Sequence, residues 1–429
     1  MTSAPPAPRG RRLPSWLLGT GVIAVAMAVM NVTTYGFTIL AARMLGPAEY
    51  GALAAVMGLM LVVNVVSLGL QATGARRVSA SAGDLDHLEA DVLSASYWSA
   101  GALGLLMLLA SPLVAVTLNL DSWVVAALVA VTAVPLTVMG GQAGILQGER
   151  RWGPLAGIYL GVGVGRLAFG AVALLLSRTA FAGTLGVTLG SVVPVVVGWY
   201  ALRHPSRRRT PAAERRPREH TSRWARGGVL RETVGNSQAL LAFFALSNAD
   251  VIIARSTLPE HQAGLYAGGL ILAKAVLFLP QFVVVIAFPS MSQQPDAKRM
   301  HLLSLAMVLG IGLVTVAGTW VLSSLAVLFV GGPEYADLEN RIWLFAVLGT
   351  LLALLQLMVY NVVARQHQRT ILLIWGALLA LVAAGPFLDT LDSLLTIVLG
   401  LDGTLFVLLL AVSLRPARTA APRDPVGTP

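Results

Sequence analysis

Long uncharged hydrophobic runs recur along this chain, separated by short polar breaks; Leu13 to Ala42, Gly51 to Ala75 and Val92 to Leu120 are the first three. About 20 apolar residues in a helix rising 1.5 Å per residue cross a bilayer, so each run is long enough to span one. The pattern predicts twelve helices, over 15–42, 51–74, 92–118, 123–146, 154–177, 181–202, 233–254, 263–288, 302–330, 340–363, 371–388 and 393–414. The predicted fold class is an all-α polytopic membrane protein.

Composition agrees. Of 429 residues, 56% are hydrophobic and 12% are charged, against about 25% charged in soluble domains. The first run follows Arg9, Arg11 and Arg12 but is too long for a signal-peptide core and lacks a cleavage-like end, so it reads as a retained span. The chain has no cysteine, which excludes disulfides and thiolate metal sites. The histidines are scattered without ligand spacing, and neither a metal nor a cofactor is expected.

Basic residues set the orientation. With both ends in the cytoplasm, 24 Lys and Arg fall inside and 4 outside (Arg43, Arg178, Arg255 and Arg341), as the positive-inside rule requires. The net charge of +10 then needs no nucleic acid. The arginine-rich stretch from Arg203 to Arg231 reads as a cytoplasmic linker facing anionic headgroups. It divides the chain into an N-terminal tail (1–14), a six-helix lobe (15–202), the linker (203–232), a second six-helix lobe (233–414) and a C-terminal tail (415–429).

The halves echo one another. The first outer hairpin reads Ala42-Arg-Met-Leu-Gly-Pro47-Ala-Glu-Tyr-Gly51, and the hairpin between spans seven and eight reads Ala254-Arg-Ser-Thr-Leu-Pro259-Glu-His-Gln-Ala-Gly264. Each has Ala-Arg leaving a span, a proline four residues after the arginine, an acid just past it and a glycine opening the next span; the second is one residue longer. Such duplication predicts two lobes about a pseudo-two-fold axis along the membrane normal, with a site near the midplane between them.

The 42–51 motif resembles the Wzx-like lipid-linked oligosaccharide flippases, the polysaccharide branch of the multidrug/oligosaccharidyl-lipid/polysaccharide exporter (MOP) superfamily. Leu146-Gln-Gly-Glu-Arg-Arg-Trp-Gly153, Asn248-Ala-Asp250 with Ala263-Gly-Leu-Tyr266, and Gly331-Gly-Pro-Glu-Tyr335 are similar to further loops of that family. The resemblance implies a V-shaped bundle in a bacterial plasma membrane that moves an undecaprenyl-diphosphate-linked glycan to the outer leaflet by alternating access, making and breaking no bond. It implies membrane lipids, that glycolipid and polysaccharide assembly proteins as partners. A cation-coupled multidrug exporter of the same superfamily is the alternative.

Two lone cations carry the sharpest chemistry. Arg166 and Lys274 each lie mid-span in an otherwise uncharged segment, where a cation costs about 2.5–3.5 kcal/mol on insertion scales. They are the expected contacts for a diphosphate. Asp250 is the clearest intramembrane acid, expected one turn from the outer end of span seven as an ion-coupling group or a counter-ion to Arg166 or Arg255. Asn236, Phe243, Ser247 and Asp250 share one helix face, Asn31, Thr34, Tyr35 and Thr38 form a polar stripe on span one, and Gln356 and Tyr360 pair on span ten. These polar groups suit sugar hydroxyls or, more blandly, helix–helix contacts. Asp402 in span twelve is left ambiguous, expected nearer the outer surface. Gly157, Gly161 and Gly165 recur every four residues and predict close helix packing. Pro112, Pro135, Pro194 and Pro280 are expected to interrupt spans. Gly163-Val-Gly165-Arg-Leu-Ala168 matches a dinucleotide fingerprint formally, but no strand precedes it. Short outer loops leave no room for an enzyme's catalytic platform.

Overall fold

The first two predicted spans are two helices that meet at a single non-helical residue. In the computed structural model, which describes residues 15–80, 85–203, 223–291, 297–365 and 368–414, helix α1 runs Ser15–Val63 and departs from helical geometry only at Gly46 (φ 70°, ψ 173°). Glycine takes that left-handed φ without steric penalty. Pro47 follows, at the start of the second arm, where its missing N–H costs nothing. The predicted hairpin loop over 42–51 is therefore almost entirely helical. Asn64 N bonds Met60 O and Leu68 N bonds Asn64 O, so α2 (Val65–Ala80) continues the second arm.

Helices α3 (Leu85–Thr117), α4 (Trp123–Gly148) and α5 (Trp152–Leu176) are single spans. The sixth span is two pieces, α6 (Ala180–Gly190) and α7 (Val192–Arg203). Pro194 lacks the N–H that would bond Gly190 O, and the helix breaks at Ser191 between them. Pro112 and Pro135 instead lie inside unbroken helices. In the second half, α8 (Arg223–Thr257) begins ten residues before the predicted span, and α9 (Glu260–Met291) continues unbroken through Pro280. The ninth span is α10 (Ala297–Val321) and α11 (Ser323–Val330), split at Leu322. A 3₁₀ turn, Pro333–Leu338, leads to α12 (Ile342–Arg365), α13 (Gln368–Ala384) and α14 (Leu391–Leu414). Among the described residues nine helical runs are long and apolar enough to cross a membrane; the first, Gly21–Ala80, turns at Gly46 and so crosses twice, and Ile371–Phe387 is shorter. With α9, the fold is a multi-pass bundle of about twelve spans. The tails, and the linker between 203 and 223, lie outside the described residues.

The two lobes repeat one packing order. In the first, α1 packs on α5, α3 on α4, α4 on α2, and α5 on α6; in the second, α8 packs on α13, α10 on α12, α12 on α9, and α13 on α14. The echoed hairpins also do equivalent work. Glu49, two residues before Gly51, accepts from Ala180 N at 2.6 Å and caps α6. Gln262, two residues before Gly264, accepts from Leu391 N at 3.1 Å and caps α14. Gly51 and Gly264 meet one another: a Cβ on Gly51 would lie 2.9 Å from Gly264 N. Equivalent residues touch each other only where a two-fold axis passes between them.

The N-terminal lobe is drawn together by small residues, as expected for helices in lipid. A Cβ on Gly165 would lie 2.7 Å from Gly190 O, and one on Gly161 3.2 Å from Pro194 Cα. Gly163 meets Met30 and Thr33, and Gly170 meets Phe37, so α5 presents glycine to α1 as well as to α6 and α7. The Gly163–Ala168 stretch is helical. Outward, Leu109, Leu113, Leu175 and Leu176 are exposed, a surface made for hydrocarbon rather than water.

Candidate functional site

A cavity of about 130 Å³ lies between the lobes. Three helix faces build it. The first arm of α1 contributes Thr34, Tyr35 and Thr38, and the second arm Tyr50, Ala54, Met57 and Leu61. Ala267, Leu270, Ile271 and Lys274 come from α9, spaced 0, 3, 4 and 7 as one helix face demands. Arg166 enters from α5. The two lone cations, one from each lobe, thus line a single cavity.

Their settings differ. Among the described residues none hydrogen-bonds or ion-pairs with Arg166. Lys274 Nζ donates to Asn248 Oδ1 at 3.0 Å, and Asp250 lies within Coulombic range of it. Asp250, on α8 and 2% exposed, accepts from Tyr266 Oη at 3.0 Å and from Val251 N at 2.8 Å. Asp402, on α14 and 3% exposed, acts electrostatically on both Asp250 and Tyr266. One carboxylate, Asp250, therefore lies near the ammonium, and a second, Asp402, lies near Asp250 and Tyr266, all inside the second lobe.

Asp250 is the counter-ion neither of Arg166 nor of Arg255. Arg255 instead donates to Leu118 O, Asn119 O and Glu260. Asp250 is also seven residues from the end of α8 rather than one turn, because the helix runs on to Thr257. Asp402 sits mid-helix in α14, not near an end.

Thr34, Tyr35 and Thr38 line the cavity, whereas Asn31, Ser247 and Gln356 are not among its lining residues. The Thr38 hydroxyl donates to Thr34 O, and Ser247 donates to Phe244 O, so part of each polar stripe is spent within its own helix. The side chains of Asn236 and Tyr360 fall outside the described residues. Asn248 and Tyr266, which hold Lys274 and Asp250, were not singled out as site residues, although both stand in the quoted motifs. Tyr266 precedes Lys274 by eight residues, close to the same face of α9, and that spacing was the available signal. Among the described residues no three His, Asp or Glu side chains gather to hold a metal ion.

Residues 17–295 match the family described as polysaccharide biosynthesis protein. The chain belongs to that family. No curated protein matches the sequence. Among solved structures, this polysaccharide biosynthesis protein resembles the lipid II flippase MurJ in an inward closed conformation (10% identity, TM-score 0.67, covering 91% of this chain and 87% of that one). It also resembles a MOP superfamily transporter from Pyrococcus furiosus (14%, 0.60, 92% and 94%) and a eukaryotic MATE transporter, AtDTX14 (13%, 0.58, 94% and 97%). At such identities the likeness is one of fold, and the fold is that of MOP-superfamily transporters.

Proposed function

We propose that this polysaccharide biosynthesis protein is a flippase for a lipid-diphosphate-linked oligosaccharide, moving it from the cytoplasmic to the outer leaflet of a bacterial plasma membrane. The observation that carries this reading is the unpartnered guanidinium of Arg166 facing the same inter-lobe cavity as Lys274. A partnerless cation at membrane depth is costly and marks a place where an anion is received. Guanidinium and ammonium both make charge-assisted hydrogen bonds to phosphate oxygens. The cavity of about 130 Å³ is smaller than the roughly 300–1,000 Å³ of ordinary ligand pockets. A glycolipid enters only when the lobes part, which is what alternating access supplies.

Transport itself needs no catalytic group, only two openings of the same site. The positive-inside count supports cytoplasmic termini and an outward-facing 42–51 hairpin. Thr34, Tyr35 and Thr38 are placed to hydrogen-bond the first sugar. Asp250 is the coupling group in this reading. Asp402 acts on it electrostatically, so two carboxylates are close to one another, and uptake of a proton or cation there balances the charge.

The second reading, a cation-coupled drug exporter, draws on the same two acids. One experiment separates them: native mass spectrometry of lipids copurifying with the wild type and with Arg166→Ala/Lys274→Ala. Diphosphate-linked glycolipid retained by the wild type and lost from the variant is the expected result. Equal retention removes both cations from the site, and saturable binding of organic cations without such a lipid favours the exporter.

A further inference from the structure

The echoed hairpins carry an arginine each, and both arginines cross to the other lobe. Arg255, at the end of α8, donates through Nε to Leu118 O at 3.1 Å and through Nη2 to Asn119 O at 2.9 Å. Those carbonyls end α3, the third span of the first lobe. Arg43, at the end of the first arm of α1, donates to Leu328 O at 2.8 Å. That carbonyl lies in the last turn of α11, which ends the third span of the second lobe. The last carbonyls of a helix have no partner within it and carry its partial negative charge, so a guanidinium is their natural complement.

The return contacts match as well. Asn119 Nδ2 donates to Arg255 O at 3.2 Å, and Tyr335 Oη donates to Ala42 O at 3.4 Å. In both, a side chain from the segment following the third span reaches the Ala-Arg end of the opposite lobe. The helix ends are shaped alike too. Leu120 N bonds Ala115 O, and Gly332 N bonds Val327 O. Each closes a five-residue step that leaves carbonyls pointing outward. They differ in backbone: Asn119, inside the first step, takes φ 45°, whereas Gly331, inside the second, takes φ −161° and the positive φ of 90° falls on Gly332 just after it.

We propose that these are two halves of one latch. Arg43 and Arg255 hold the hairpin ends of the lobes together by reciprocal helix-end clamps, and releasing both is the step that opens the bundle at that end. The clamps bind backbone carbonyls, so the latch needs neither substrate nor ion. It is uneven. Arg255 is 5% exposed and further anchored by Glu260 at 3.1 Å, beside a cavity of about 500 Å³ that the two residues help line. Arg43 is exposed and makes one bond among the described residues. Arg255 is therefore the stronger half.

The chain lacks cysteine, so the test is direct. Nitroxide labels on Ser177→Cys in the first lobe and Asp389→Cys in the second, both exposed at the hairpin end, report the gap by pulsed dipolar spectroscopy without any substrate present. A single short distance is expected in the otherwise native chain. Arg255→Gln raises the open-to-closed ratio about ten-fold or more, as loss of a charged, buried hydrogen-bond donor implies. Arg43→Gln raises it about two- to five-fold, because its clamp is exposed, and the double variant more than either. Arg178→Gln, an exposed arginine at the same end, leaves it unchanged. Should Arg255→Gln fail to fold, Asn119→Gly removes the return bond at a φ that glycine accepts and opens the gap in the same direction. Distances unchanged in Arg43→Gln and Asn119→Gly, or moved equally by Arg178→Gln, overturn the latch whatever the protein carries.

Discussion

The two lobes share a packing order but solve the problem of a buried cation in opposite ways. In the first, Arg166 has no partner among the described residues and sits among helices pressed together by glycine. In the second, Lys274 is bound to Asn248 and lies near Asp250, which Tyr266 and Asp402 flank in turn. A duplicated scaffold has kept its geometry and divided its chemistry. One copy leaves its cation unpaired among the described residues; the other ties its cation to Asn248 and Asp250. The difference teaches that charge at membrane depth is either a structural element or a vacancy for something charged, and that partners, not depth, decide which.

The strongest way to break this comparison is Lys274→Met. Removing the ammonium leaves Asn248 Oδ1 without its donor and Asp250 without its nearby cation. A loss of about 3–5 kcal/mol is expected, as for one partner removed from a buried pair, read as thermal unfolding of the purified protein. Lys274→Met/Asp250→Asn recovers most of it. If single and double variants unfold alike, Asp250 and Lys274 are not coupled.

Packing is the next test. Gly186→Ala puts a Cβ 2.6 Å from Gly170 Cα, backbone that cannot swing aside, and should cost about 1–3 kcal/mol by overpacking. A neutral result would mean that α5 and α6 separate freely. Arg166→Leu should move stability the other way, upward by about 1–2 kcal/mol. It relieves part of the roughly 2.5–3.5 kcal/mol insertion cost and breaks no bond, while glycolipid retention falls. A drop in melting temperature would show that Arg166 has a structural partner. The smallest effect is Gly403→Ala. A Cβ there meets nothing within 4 Å, so the same substitution that harms α6 should stabilise α14 by roughly 0.5–1 kcal/mol through helix propensity. Parallel melting curves of the two alanine variants give the contrast directly.

Hydropathy made the spans legible because a bilayer imposes length and polarity on every crossing. The lone cations stood out for the same reason: an arginine or lysine amid apolar residues needs no structure to be noticed. What sequence could not supply was pairing. From sequence Asp250 reads as an ion-coupling group or as a counter-ion to Arg166 or Arg255, because all three lie in spans or at their ends. The structure gives it Tyr266, sixteen residues away across a helical hairpin, and brings Asp402 alongside from the last helix. Such meetings depend on helix rotation and lobe packing, which period alone does not fix. Gly-Pro marks the turn between the first two spans, but its length is not legible from sequence: a single left-handed residue, Gly46, suffices, and the helix resumes at once. The caps by Glu49 and Gln262 lay in the echoed hairpins, but only the partner helices reveal that a carboxylate and an amide do the same task.

The glycine on two sides of α5 also bears on how the chain is made. Gly163 and Gly170 await α1, which is already synthesised when α5 emerges. Gly157, Gly161 and Gly165 await α6 and α7, which are not. A helix so poor in side chains on two faces, with an arginine between them, has little hold on lipid by itself. It can rest against α1 at once but is enclosed only when synthesis has passed Arg203. The first lobe should therefore mature late, as a unit sealed by its sixth crossing, and truncation just before α6 should leave α5 exposed to membrane quality control.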